Sequence, residues 1–315
     1  MPAYSASAPG KIILFGEHAV VYGRPAIAVP VLEVSAKAIV TADPRGSTGR
    51  VNIQAPDIKL ETTLDNLPTD HPLAAVIINA ASALRINHIP ACNIRVTSSI
   101  PVAAGMGSGA AVSVAILRAF SAFLGHALSD KQVCDLAYEV EKIHHGTPSG
   151  IDNTVITYAK PVYFVKAEPI DILQVNRPFT IVIGDTGIQS PTAIVVSDVR
   201  KGWEKAMDKY EELFDAAGRI ATFARQAIEN GSIESLGRLM DANHDLLCQL
   251  GVSCPELDAL VEMARSAGAE GAKLSGGGRG GNMIALVTPE QAGNVAIALE
   301  KAGAVRTIVT EVRKP

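Results

Sequence analysis

The feature that most constrains the fold is a glycine-rich turn between a predicted strand and an apolar helix, PVAAGMGSGAA at residues 101–111. Glycines at alternating positions let backbone N–H groups approach a ligand closely, and a helix N-terminus adds partial positive charge. This combination predicts a phosphate-binding loop. The alternative is a tight strand-to-helix turn without a ligand, because such a motif is only a hypothesis until its structural context is known.

Two better-known phosphate motifs do not fit this turn. A Walker A loop requires a lysine directly after the glycines, and none follows here. Gly105, Gly107 and Ala110 match the spacing of a Rossmann loop, which also needs a later strand that ends in an acidic residue. Instead, Ser129 and Gln132 form a capping-box pattern, which predicts a second helix in that place. A nicotinamide-dependent oxidoreductase is therefore disfavoured.

Hydrophobic patterning divides the chain into a strand-rich part and a helix-rich part. The first hundred residues carry short β-type runs, with a helix predicted from about Pro72 to Arg85. Buried helical patterns begin at Ala110, and successive helices are predicted between about Pro191 and Ala267, before a tail of strand, strand, helix and strand. This order predicts an α+β fold of two domains, residues 1–178 and 179–315, that share a cleft.

Composition limits the partners and the compartment. A formal net charge of -4 argues against a nucleic-acid-binding surface. No apolar run reaches the about 18 residues that a membrane span requires, and the N-terminus shows no secretion signal. The four cysteines include no C-x-x-C pair, which predicts buried free thiols in a cytoplasmic protein rather than zinc ligands or disulfides.

A second glycine-rich segment lies near the C-terminus, where five of the six residues from 276 to 281 are glycine (GGGRGG). Each glycine disfavours regular structure by about 0.5–1 kcal/mol relative to alanine. A strained loop that something approaches closely is therefore expected between the two flanking strands. The alternative is a flexible hairpin tip. Two glycine-rich loops in one chain favour a shared polyanionic ligand.

The segment EKIHHGTPSGIDN carries candidate titratable groups. Ser149 is expected to cap a short helix, and the helix dipole favours an ionised Asp152 in its first turn, suited to accept a proton or orient a hydroxyl. Glu141, at the end of the preceding helix, is a candidate Mg²⁺ ligand or else an ordinary surface glutamate. His144 and His145 diverge on a helix, which favours a structural or substrate contact over a metal site.

The N-terminal run APGKIILFGEHAVVYG places Lys11, Glu17 and His18 around one apolar strand. A lysine at this position would either lower the pKa of a hydroxyl or neutralise the charge that develops in phosphoryl transfer. Together with PVAAGMGSGAA and GAKLSGGGRGGN, this run makes the chain resemble the GHMP kinases, whose three motifs occur in this order. The stretch HGTPSGIDN resembles the segment that one branch of that family, the branch that acts on mevalonate, carries between its second and third motifs.

The resemblance implies the two-domain α+β GHMP kinase fold, with ATP in the cleft between a strand-rich N-terminal domain and a helix-rich C-terminal domain. The implied reaction is Mg²⁺- and ATP-dependent phosphorylation of the primary hydroxyl of mevalonate to 5-phosphomevalonate, an early step of isoprenoid precursor synthesis. A kinase for phosphomevalonate or for another hydroxyl of mevalonate, and a catalytically inactive ligand sensor, are the alternatives. A homodimer is also expected from the resemblance.

Residue roles carry over by position in the motifs. The implied catalytic residues are Asp152 and Lys11, and the implied Mg²⁺ ligands are Glu141 and Ser108. The resemblance implies that the ATP-binding residues are Pro101, Ala104, Gly105, Met106, Gly107, Ser108, Gly109 and Ala110. It implies that the substrate-binding residues are Glu17, His18, His145 and Thr192.

Three residues depart from the family pattern. Gly109 stands where a second serine is expected to bind Mg²⁺, so Ser108 or water takes that ligand position, or metal binding is weaker. Arg279 stands where a small residue is usual, and it is expected either to reach a phosphate or to point into solvent. Asn282 replaces a cysteine.

Overall fold

The computed structural model describes residues 2–101, 104–145, 148–190 and 192–314, and of His144 and His145 it describes the backbone only. These residues form two compact units, and each unit is assembled from separate segments of the chain. The first unit comprises residues 2–10, 34–101 and 107–159, and the remaining described residues form the second. The predicted domain boundary after residue 178 stays a prediction.

In the first unit, helices pack on a mixed β-sheet. Its elements are β1 (Ala3–Phe15), β2 (Ala26–Ala42), β3 (Val51–Ala55), β4 (Leu60–Thr63), α1 (Pro72–Ala83), β5 (Cys92–Ser98), α2 (Ser108–Phe123), α3 (Asp130–His145) and α4 (Ile151–Tyr158). β1 and β2 also contribute residues to the second unit. The strand order is β4–β3–β5–β2, in which β3 and β5 are parallel and the other pairs antiparallel.

Helix α2 lies at the centre of the first unit because it is apolar on almost every side. Most of its side chains between Ala110 and Ser121 are buried, and α1, α3 and α4 all contact it. The predicted capping box opens α3, since the Ser129 backbone N–H donates to Gln132 Oε1 at 3.0 Å and the Gln132 N–H donates to Ser129 Oγ at 3.4 Å. A helix therefore follows α2 where a Rossmann unit would have a strand.

The second unit is built on an antiparallel sheet with the strand order β11–β8–β10–β9. Its further elements are β6 (Val162–Phe164), β7 (Asp171–Ile172), β8 (Phe179–Asp185), α5 (Thr192–Lys205), α6 (Met207–Asn230), α7 (Ile233–Gln249), α8 (Pro255–Ser266), β9 (Gly271–Ser275), β10 (Asn282–Val287), α9 (Ala292–Lys301) and β11 (Arg306–Val312). β6 pairs antiparallel with the first residues of β2, with Ala28 opposite Val162. The predicted α+β class and the order of the elements are confirmed.

Helix α7 covers the outer edge of β9, which would otherwise leave backbone groups unpaired at the end of the sheet. Asp241 Oδ1 accepts from the Ala272 N–H at 2.9 Å, and His244 Nδ1 accepts from the Leu274 N–H at 3.4 Å. Arg265 donates to the Ala272 carbonyl at 3.1 Å. This edge is therefore closed by side chains, and the intervening Lys273 points away from solvent, with 0% of its surface exposed.

The cysteines correct one prediction. All four are free thiols, and Cys92 and Cys134 are buried as predicted, but Cys248 is exposed and Cys254 is half-buried. Within the described ranges, no helix combines the length and the apolar character that crossing a membrane would require.

Candidate active site

The glycine-rich motif PVAAGMGSGAA leads into the N-terminus of α2. Gly107 takes the cap position with a left-handed φ of 71°, and the Ala111 N–H donates to the Gly107 carbonyl at 2.9 Å in the first intrahelical bond. The N–H groups of residues 108–110 precede that bond, and the first turn contains no acidic residue. An anion would therefore meet backbone donors and the positive end of the helix dipole here. Val102 and Ala103 of this motif lie outside the described residues.

The preceding loop residues belong to the second unit, where two strands hold them. The Lys11 N–H of β1 donates to the Met106 carbonyl at 3.1 Å. Asn282, at the start of β10, donates through Nδ2 to the Ala104 carbonyl at 2.5 Å. The residue that replaces the family's cysteine thus anchors the loop. Lys11 itself is 3% exposed.

Glu141 is buried, with 5% of its surface exposed, so it is not an ordinary surface glutamate. It lies on α3 beside the start of α2. A Cβ atom added to Gly109 would stand 3.4 Å from Glu141 Oε1. A buried carboxylate next to helix-terminal amides has the hard oxygen donors that Mg²⁺ prefers. The donor chemistry of Glu141 therefore fits the predicted metal, and Ser108, the first residue of α2, precedes Gly109 in the chain.

Asp152 lies in the first turn of α4, as predicted. The predicted Ser149 cap is wrong, because the cap position is Gly150 with φ 94° and no side chain caps the helix; Ser149 Oγ instead accepts from the Ile151 N–H at 3.4 Å. Asn153 Nδ2 donates to the Cys134 carbonyl at 3.2 Å, which fastens α4 to α3. The short helix thus presents its carboxylate on a fixed backbone. The side chain of His145 lies outside the described residues.

Glu17 and His18 occupy a tight turn at the end of β1. Gly16 has φ 90°, and an added Cβ would overlap the Pro25 carbonyl oxygen, so only glycine fits there. His18 has φ 60° and donates through Nε2 to the Gly277 carbonyl at 3.1 Å. Burial lowers the pKa of His18 to about 4, so the ring is neutral at physiological pH with Nδ1 as its acceptor.

Sequence reasoning missed Lys273, which pairs with Glu17. Its Nζ donates to Glu17 Oε1 and to the Leu274 carbonyl, the latter at 2.6 Å. Burial lowers the pKa of Lys273 below its usual value. The available signal was a single lysine inside the short strand GAKLS, where a buried charge requires a partner.

The third family motif, GAKLSGGGRGGN, contains the loop between β9 and β10. Hydrogen bonds hold this loop in place, so the alternative of a flexible hairpin tip is excluded. Ser190 Oγ donates to the Gly278 carbonyl at 2.8 Å, and the Gly281 N–H donates to the Ile188 carbonyl at 2.7 Å. A Cβ atom added to Gly277 would lie 2.6 Å from Thr192 Oγ1. Three of the predicted substrate-binding residues therefore lie beside β9 or this loop. Glu17 contacts Lys273 of β9, whereas His18 and Thr192 lie next to Gly277.

Arg279 follows neither of its two predicted orientations. Its Nη1 donates to Asp198 Oδ2 on α5 at 2.7 Å, and its Nη2 donates to the Gly251 carbonyl behind α7 at 3.2 Å. The residue itself adopts a left-handed φ of 53°. The guanidinium therefore joins the third-motif loop to α5 and to the turn that follows α7.

Replacing Arg279 with methionine should lower the free energy of unfolding by about 1 kcal/mol, because the half-exposed ion pair is screened by water while the Gly251 carbonyl loses two donors. Urea denaturation measures this change. Lys201→Met removes the other basic partner of Asp198, an exposed side chain at 3.4 Å, and should change stability by less than about 0.5 kcal/mol. Equal losses in both variants would contradict the special role of Arg279.

A separate cluster of His244, Cys248 and Asp258 has side-chain spacing that a metal could use, with 3.4 Å from His244 Nε2 to Asp258 Oδ1. However, His244 Nδ1 accepts from the Leu274 N–H, and burial lowers the pKa of the ring, so the proton of the neutral imidazole is on Nε2. A protonated nitrogen has no lone pair for a metal. The cluster therefore connects α7 to the start of α8 by hydrogen bonds.

Family models for the GHMP kinase N-terminal domain and the GHMP kinase C-terminal domain match residues 75–160 and 224–305. The chain therefore belongs to the GHMP kinase family, and it is an ATP-dependent small-molecule kinase. It is similar to mevalonate kinases of Thermococcus sibiricus and Pyrococcus horikoshii, each 38% identical over 98% of this chain and 96% of the relative. The crystal structure of L. major mevalonate kinase in complex with R-mevalonate is 30% identical, with a TM-score of 0.83 over 98% of this chain and 96% of that one.

Proposed function

We propose that the protein transfers the γ-phosphoryl group of ATP to the primary hydroxyl of mevalonate and releases 5-phosphomevalonate and ADP. The observation that carries this proposal is the arrangement of Glu17, His18 and Thr192 around β9 and Gly277. The family resemblance implies that these residues bind the acceptor, and the full-length similarity to mevalonate kinases supports mevalonate in that role.

In this mechanism Asp152 accepts or orients the proton of the primary hydroxyl, and Lys11 stabilises the charge that develops beside it. Phosphoryl transfer passes through a loose transition state, so positioning and electrostatics matter more than the strength of the base. The burial of Lys11 and the fixed first turn of α4 both favour such positioning. Glu17, His18 and Thr192 would hold the acceptor, together with His145.

The ATP phosphates would bind along the turn at Pro101 and residues 104–110, where α2 supplies backbone N–H groups. We assign Glu141 and Ser108 as the protein ligands of Mg²⁺. When bound, this ion neutralises phosphate charge. The cradle needs no side chain from Gly109, whose small size instead leaves room beside Glu141 Oε1.

A panel of acceptors scored by ADP release tests the proposal. We expect turnover with mevalonate and none above background with phosphomevalonate, homoserine or galactose. Turnover with phosphomevalonate alone would show that phosphomevalonate, and not mevalonate, is the acceptor. ATP binding without turnover of any acceptor would contradict the kinase activity and favour the inactive sensor.

Gly109→Ser should raise the apparent affinity for Mg²⁺ by about threefold to tenfold, because a hydroxyl adds one oxygen donor beside Glu141. The new Cβ fits, since it would lie 3.4 Å from Glu141 Oε1. Calorimetric titrations of nucleotide binding at increasing Mg²⁺ concentrations measure the apparent affinity for Mg²⁺. Gly109→Ala adds the same carbon without the hydroxyl and serves as the matched control. An equal gain in both variants would contradict metal ligation at position 109.

We also propose that the enzyme is a cytoplasmic homodimer with a domain boundary after residue 178. Free thiols at all four cysteines support a reducing compartment. Light scattering coupled to size exclusion would give the oligomeric state, with a mass near one chain contradicting the dimer.

A further inference from the structure

The Glu17–Lys273 ion pair is completely buried within the second unit. The exposed fractions of the two side chains are 1% for Glu17 and 0% for Lys273. Removing two charges from water costs free energy that their mutual attraction often fails to return, so such a pair is weak evidence for a stabilising role. The position of the pair, between the first and third motifs, points instead to a role in the active site.

One oxygen of this pair is unused by the protein. Lys273 donates to Glu17 Oε1, whereas Glu17 Oε2 is buried and has no hydrogen-bond partner among the residues that the structure describes. A buried carboxylate oxygen without a donor is unfavourable. Glu17 directly precedes His18, which the third-motif loop holds through Gly277. The oxygen is therefore suited to accept a hydrogen from a bound molecule.

The backbone holds both partners in place. Ser275 Oγ, at the end of β9, accepts from the Ile13 N–H at 3.2 Å and donates to the Ile13 carbonyl at 2.8 Å. The tight turn at Gly16 then fixes the direction in which the chain continues to Glu17. Lys273 is two residues before Ser275 on the same strand. Because both charges sit on fixed backbone, a ligand would meet a preorganised acceptor.

We infer that Lys273 is a positioning residue that holds Glu17 Oε2 as the acceptor for the tertiary hydroxyl of mevalonate. This inference rests on the function proposed above. Mevalonate offers one carboxylate and two hydroxyls. Its carboxylate has no hydrogen to donate and would be repelled by Glu17. The hydrogen of the primary hydroxyl goes to Asp152 in the proposed mechanism, so the tertiary hydroxyl is the remaining donor.

The first test compares mevalonate with 5-hydroxy-3-methylpentanoate, which lacks only the tertiary hydroxyl, on the unmodified enzyme. We expect kcat/KM to fall by about 30-fold or more, since a site that pairs a buried polar group with a substrate hydroxyl rejects the analogue without it. Equal kcat/KM values would overturn this inference alone. Absence of turnover with mevalonate itself would overturn the proposed function, so the two failures are distinguishable.

The second test separates positioning from stability with two variants. Lys273→Met should raise KM for mevalonate by about 10- to 100-fold, with kcat and KM for ATP changed less than about threefold. The double variant K273M/E17L replaces the pair with apolar side chains of similar size, so we expect it to recover thermal stability but not KM. Recovery of both would show a purely structural pair and overturn the inference.

The control removes an ion pair of the same kind from the surface. Lys131 and Asp135 lie one turn apart on α3, with exposed side chains and an Nζ to Oδ2 distance of 2.8 Å. K131M/D135N should leave KM for mevalonate unchanged. If K273M does not fold, the double variant and the analogue comparison still decide, because neither contains a lone buried charge at these positions.

Discussion

Replacing Asp152 with asparagine should lower kcat by about 10²- to 10⁴-fold, the range that a positioned acid–base group contributes. Asparagine has nearly the same size, so α4 should keep its first turn and its anchor to α3 through Asn153. The substitution removes the negative charge and the capacity to take the proton of the acceptor hydroxyl. Steady-state ADP release with mevalonate measures the loss.

ATP affinity should survive the Asp152 substitution to within about threefold, because the phosphates are assigned to the start of α2 and not to α4. Calorimetric titration of the variant with ATP tests this separation. Asp135→Asn, on the exposed face of α3, is the matched control and should retain full turnover. Turnover near the wild-type rate in Asp152→Asn would contradict the assignment of Asp152 as the catalytic residue.

Gly278→Ala should be the most damaging single change in the third motif, with a loss of about 2–4 kcal/mol in the free energy of unfolding. Gly278 has φ 80°, and an added Cβ would overlap the carbonyl oxygen of Val252. Because the neighbouring Gly277 carbonyl holds His18, movement of the loop should also reduce kcat/KM for mevalonate by about 10-fold or more. Urea denaturation and steady-state kinetics measure the two effects.

Gly293→Ala provides the control for that experiment. Gly293 lies within α9, and an added Cβ would meet no atom within 4 Å. Since alanine favours a helix over glycine, this variant should gain up to about 1 kcal/mol. A Gly278→Ala protein as stable as the wild type would contradict the close packing of the loop against Val252.

Local sequence patterns were sufficient where local forces decide the structure. The capping box at Ser129 and Gln132 formed as predicted, because its hydrogen bonds join residues three positions apart. The first-turn position of Asp152 was also predicted, although the cap itself moved from Ser149 to Gly150. Both glycine and serine occupy such caps, so the pattern fixed the helix more firmly than its cap.

The residues that sequence reasoning missed or misplaced depend on partners far away in the chain. Arg279 was expected at a phosphate or in solvent, but its partner Asp198 is 81 positions away on α5. Glu141 fitted an ordinary surface glutamate by its own sequence position, and only its burial beside the start of α2 excludes that interpretation. Hydrophobic periodicity shows which face of an element is apolar, but not which element covers that face.

The sequence alone determined the α+β class, the succession of elements and the three glycine-rich motifs of the GHMP kinases. These follow from periodicity, capping and the steric freedom of glycine, all of which act over a few residues. Only the tertiary structure decided that Lys273 pairs with Glu17 across 256 positions, and that His18 donates to Gly277. The physical reason is that a charge within a strand is tolerated in the interior only when the fold brings it an opposite charge and excludes water.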